Sequence, residues 1–115
     1  MRLLDPEELW NTNEITLVST RSPAEAILKI LDNVGNNHVN VSSAYQDLFI
    51  DEYCVNPKKI LGATILDLFS FKGALPDVFP KNTILIWNDS NMIPEKLKRL
   101  ITKSVRYRTG ELERN

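Results

Sequence analysis

The sequence is poor in the residues that most often announce a chemistry. It has one cysteine, Cys54, so no intrachain disulfide is possible and the fold has to rest on its core. A single thiol also fits a reducing, cytoplasmic setting, and that is the expected compartment. The one histidine, His38, has no cysteine or carboxylate beside it at metal-ligand spacing, so no metal site is expected. As a general base it would need a partner that only the fold could supply. The four glycines form neither a Walker loop nor a G-x-G-x-x-G turn, and no G-x-S-x-G or H-E-x-x-H pattern occurs. No catalytic residue, metal or cofactor is therefore assigned. No apolar run reaches the ~20 residues of a membrane span. The longest candidate, 60–71, is interrupted by Gly62, Thr64, Asp67 and Ser70, and the first residues lack the apolar stretch of a signal peptide.

Excess charge of one sign is missing as well. Lys and Arg number 14 and Asp and Glu 15, a formal net charge of −1. With 43% hydrophobic and 25% charged residues, the 115-residue chain has the composition of a globular protein. It is long enough for one domain, 1–115, with one core.

What is present is a regular alternation of helix and strand signals. Asp5-Pro6-Glu7-Glu8 has the form of a helix start, with Asp5 as cap, Pro6 at the first position and Glu8 closing a capping box, which predicts a short helix over 5–11. Residues 14–19 are rich in β-formers and predict a strand. Ser22-Pro23-Ala24-Glu25 is a second capping box. Ala24, Ile27, Leu28, Leu31 and Val34 follow it at helical spacing, and Gly35 can end that helix. A short strand is expected at 38–41 and a helix from Ser42 or Ser43 to about Tyr53. Asn56-Pro57 then reads as the cap of a further helix running to about Ser70 through Leu61, Ile65, Leu68 and Phe69, with a buried strand as the rival reading. Residues 72–82 form a connection. Residues 83–87 predict a strand covered on both faces. A last, basic helix and tail occupy 93–115, with Ile93, Leu97, Leu100, Ile101 and Val105 as the apolar face and an edge strand or a frayed end as the readings of the tail from Arg106. This order predicts an α/β fold: a small three-layer domain whose three- to four-stranded, mostly parallel sheet is flanked by helices.

In such a sheet, ligands collect at the carboxyl ends of the strands. The polar junction Ser19-Thr20-Arg21-Ser22 precedes a helix N-terminus, where backbone N–H groups and the helix dipole favour an anion and Arg21 can clamp one. Ser19, Thr20, Arg21 and Ser22, with Asp89 facing them from the junction at 88–91, are therefore the candidate ligand-binding residues for a phosphate- or carboxylate-bearing molecule. The bland alternative is that these residues only cap helices.

The near-neutral total hides a segregation. Residues 1–56 carry three positive and nine negative charges, a net of −6, and residues 57–115 carry eleven positive and six negative, a net of +5. Lys96, Arg99, Lys103 and Arg106 recur at helical spacing and Arg108 extends the run. From Lys96 to Arg108 there are six basic residues and no acid. As a stripe on one helix these five residues could meet a protein partner, a second copy of the chain through Asp5, Glu7, Glu8, Asp47, Asp51 and Glu52, or the phosphates of a nucleic acid. The functional expectation is a non-catalytic binding or regulatory module acting through protein contacts, on its own or as a subunit of a larger assembly. The alternatives are a small enzyme or sensor for an anionic ligand at the strand ends, and a nucleic-acid-associated protein.

Overall fold

The computed structural model describes residues 2–10, 13–32, 38–40, 58–60, 63–69, 75 and 77–114. The elements follow one another as β1 (Arg2–Leu4), α1 (Glu7–Trp10), β2 (Ile15–Thr20), α2 (Pro23–Ile30), β3 (His38–Asn40), β4 (Lys58–Ile60), β5 (Ala63–Asp67), β6 (Thr83–Asn88), α3 (Glu95–Leu100), β7 (Lys103–Arg108) and β8 (Glu111–Arg114). The strands form one mixed sheet in the order β1-β8-β7-β2-β6-β5-β4-β3. Its centre, β7-β2-β6-β5, is parallel. Antiparallel strands extend it on both sides, β8 and β1 beyond β7 and β4 and β3 beyond β5.

The α/β class expected from the sequence is present, but the sheet is mixed and has eight strands among the described residues, not three or four mostly parallel ones. The additions are short. β1, β3 and β4 have three residues each and β8 has four, too few for an alternating pattern to show. Two segments read as helix are strand. Residues 63–67 are β5, buried through Ala63, Thr64, Ile65 and Leu66 on both faces, so their apolar run carries no period that separates strand from helix. Residues 58–60, placed in the same helix, are β4. The expected helix from Ser42 or Ser43 to about Tyr53 lies outside the described residues, as do Gly35, Cys54 and the acids Asp47, Asp51 and Glu52.

The central strands are apolar on both faces because both are covered. Val18, Ile84, Ile86, Ile65 and Val105 pack with Ala26 and Ile30 of α2 and with Leu9 of α1. Leu17, Leu85, Trp87 and Leu66 pack on the other face with Leu97 of α3, joined by Ile93, Leu100 and Ile101. Successive residues of a strand point to opposite faces, so α2 and α3 lie on opposite sides of the sheet, giving three layers. Each fully buried Leu or Ile in these clusters contributes roughly 1.5–3 kcal/mol of burial free energy.

α1 is closed as its sequence requires. The Asp5 backbone N–H donates to Glu8 Oε2 at 2.9 Å, the reciprocal half of a capping box. That hydrogen bond, aided by Arg2, whose Nη2 lies 3.1 Å from Glu8 Oε1, holds the Glu8 carboxyl below its ordinary range.

The last helix is shorter than its charge spacing suggests. α3 ends at Leu100, Ile101 is extended at φ −75° and ψ 131°, and Lys103–Arg108 is strand β7. The chain turns there because Thr102 is drawn onto β2: its N–H donates to the Ile15 carbonyl at 2.9 Å and its Oγ1 accepts from the Ile15 N–H at 2.8 Å. From Lys103 onward, buried and less buried residues alternate. Val105 and Tyr107 are β-formers, and both join the α2-side core. Thr109 (φ 52°) and Gly110 (φ 83°) form the two-residue turn from β7 to β8. Positive φ at both central positions is the mark of a type I′ hairpin.

Candidate functional site

β2 and β6 are adjacent and parallel, with Thr20 opposite Asn88 at their carboxyl ends. The chain leaves β2 for α2 on one face and leaves β6 for α3 on the other. Connections that diverge in this way open a crevice at the strand ends, the place where ligands bind in open α/β sheets. A cleft of ≈ 520 Å³ lies there. It is lined by Thr20, Arg21 and Ser22 after β2, Asp89 after β6, and Arg106, Tyr107, Arg108 and Thr109 at the end of β7.

Several bonds fix this rim. The Asp89 N–H donates to the Thr20 carbonyl at 3.1 Å, continuing the β2–β6 ladder past its last paired residues. Arg21 Nε donates to Asp89 Oδ1 at 3.2 Å across the crevice. The Ser22 N–H donates to Thr20 Oγ1 at 2.9 Å, and the Ser90 N–H donates to Asn88 Oδ1 at 3.0 Å, so each junction carries its own tight polar turn. The Ser22 side chain makes no capping bond to α2. The capping box read from Ser22 and Glu25 is thus not formed, and Ser22 is one of the residues that line the cleft. Three arginines and one aspartate line the cleft, a formal excess of two positive charges.

Of the five residues read as ligand-binding, Thr20, Arg21, Ser22 and Asp89 come together here. Ser19 sits one residue lower on β2, in register with Arg106 and Trp87.

The five basic residues read as one helical stripe are dispersed. Lys96 and Arg99 stay on α3, where Lys96 Nζ bonds Asp77 Oδ1 and the Leu75 carbonyl, both at 2.8 Å. The Lys96 hydrogen bond and charge hold the exposed Asp77 carboxyl below its ordinary range. These residues border a second hollow, ≈ 530 Å³, with Glu95 and Leu100. Lys103 is buried at the start of β7, its Nζ donating to the Glu8 carbonyl at 3.0 Å and lying 3.5 Å from Glu14 Oε2. Arg106 and Arg108 belong to the cleft. Their place there was open to sequence reasoning only through the two-residue alternation of residues 103–108, since a helical stripe points them elsewhere.

Asp67 stands at the carboxyl end of β5, and its Oδ1 accepts from the Phe69 N–H at 3.0 Å. Burial raises its carboxyl above the ordinary range, and the hydrogen bond only partly opposes that. Among the described residues, no group of three or more His, Cys, Asp or Glu is placed to hold a metal ion, and no helix is long and apolar enough to cross a membrane. Compared with known proteins, the chain matches no family model, no curated protein and no solved structure.

Proposed function

We propose that the chain is a binding or regulatory module whose cleft at the ends of β2, β6 and β7 takes a phosphate- or carboxylate-bearing ligand. The carrying observation is the convergence of Arg21, Arg106 and Arg108, from two separate stretches of sequence, on one crevice at the point where the sheet connections diverge. Guanidinium forks match the oxygens of phosphate and carboxylate groups. Arg21 is held by Asp89 through Nε, which leaves the outer edge of its fork for a ligand. The volume falls within the range of small-molecule sites, roughly 300–1,000 Å³.

A thermal-shift panel of sugar phosphates, nucleotides and small carboxylates tests this reading. At least one class is expected to raise the melting temperature of the parent protein and not that of Arg21→Ala. A parent protein that responds to none, or an Arg21→Ala variant that responds as the parent does, counts against it.

Contact with a protein partner or a further copy of the chain is the second reading. It draws on the exposed Lys96 and Arg99 of α3 and on Leu28, 69% exposed on α2. Native mass spectrometry that shows a bare monomer speaks against it. Association with nucleic acid through the same basic residues ranks lower, because they do not form a continuous stripe. A cytoplasmic setting is proposed with these readings, on the single Cys54.

A further inference from the structure

Arg106 stands directly opposite Glu113 across the antiparallel β7–β8 pair. Opposite charges in that register normally pair. Here Arg106 Nε and Glu113 Oε2 are each buried without a hydrogen-bond partner, and the two side chains form no ion pair. Arg106 also lines the cleft, next to the strand that leads to Arg21. The cleft is thus lined by one guanidinium steadied by Asp89, by Arg106, which is not paired with Glu113, and by the exposed Arg108 beside it.

From this we infer that the group anchored in the cleft is a dianionic phosphate monoester, gripped between Arg21 and Arg106, and not a carboxylate. This inference rests on the reading of the cleft as an anion site. One fact separates the ligand classes. A carboxylate has two oxygens and satisfies one guanidinium fork, whereas a phosphate monoester presents three terminal oxygens and can meet two forks at once. The Ser22 hydroxyl, not used in capping, can supply a further donor.

Calorimetric titration of the full chain with three aromatic probes tests the inference. Phenyl phosphate is a dianion at neutral pH, methyl phenyl phosphate is its monoanionic ester, and benzoate is the carboxylate. Phenyl phosphate is expected to bind roughly tenfold or more tightly than either of the others. Its affinity should fall as the pH drops through the second phosphate ionisation, at about pH 6. Arg106→Lys, which keeps the charge and loses the fork, should weaken phenyl phosphate by roughly tenfold.

Benzoate or the methyl ester binding as tightly as phenyl phosphate overturns the inference and leaves the anion site standing. So does an affinity unchanged by pH, a readout that needs no variant. An Arg106→Lys variant that melts as the parent does and binds phenyl phosphate equally well also overturns it. Binding of none of the three probes overturns the inference and the cleft reading together.

Discussion

Lys103→Ala separates a helical stripe from the observed strand more sharply than any other substitution. On a solvated stripe, Lys103 would be as dispensable as Arg99. In the structure its side chain is 6% exposed, its Nζ donates to the Glu8 carbonyl at 3.0 Å, and Glu14 Oε2 lies 3.5 Å away. Truncation removes three buried methylenes, about 2.4 kcal/mol at roughly 0.8 kcal/mol each. It also removes a charge-assisted hydrogen bond, about 1.5–3 kcal/mol. Against this, the chain regains about 2 kcal/mol of lysine rotamer entropy and no longer desolvates an ammonium group. The net is a loss of about 2 kcal/mol, or about 8 °C in melting temperature for a chain of this size. Lys103→Met restores the stem and should recover about half of the loss. Urea unfolding of Lys103→Ala, Lys103→Met and Arg99→Ala decides the matter. Equal midpoints for Lys103→Ala and Arg99→Ala would refute the burial of Lys103 and the strand that causes it.

Thr16 Oγ1 is buried without a partner, so Thr16→Val, which keeps the shape and removes the hydroxyl, should raise stability by about 1 kcal/mol in the same unfolding assay. Leu97 is the one fully buried residue of the six-residue α3, and Leu97→Ala should cost about 3 kcal/mol, while Leu28→Ala, at a 69% exposed position, should leave the midpoint where it was. Thr109 is β-branched at φ 52°, and Thr109→Asn should stabilise by about 1 kcal/mol, seen as slower unfolding or a higher midpoint. Burial raises the Asp67 carboxyl in the folded state, so its contribution to stability is present below the ordinary aspartate range and is lost as pH rises through the folded value. Asp67→Asn keeps an acceptor for the Phe69 N–H and should therefore raise the melting temperature at neutral pH. The gain should shrink as the pH is lowered below the ordinary aspartate range.

The sequence made legible what local chemistry decides. β2, α2 and β6 stand where β-formers, the Ser22-Pro23 start and the run at 83–87 put them. The crevice residues Thr20, Arg21, Ser22 and Asp89 follow from the rule that ligands gather where parallel strands end. Residues 101–108 were not legible, because two periods overlap there. Ile101 and Val105 fit a helical face with Leu97, whereas Val105 and Tyr107 fit a strand. The tie is broken by the pairing of Thr102 with Ile15, which is 87 positions away in the chain. That long-range pairing, continued along β2 by residues 103–106, moves Arg106 and Arg108 from a helix surface to the cleft. Similarly, residues 63–66 are buried on both faces and carry no period, so only their place between β4 and β6 makes them a strand.

The most direct test of the cleft is an amide-resolved NMR titration of the full chain with phenyl phosphate. Saturating shifts are expected at Thr20, Arg21, Ser22 and Asp89 together with Arg106–Thr109, three stretches of sequence that come together at this crevice. Shifts absent at saturating ligand, or gathered on α3 around Lys96 and Arg99, would contradict it.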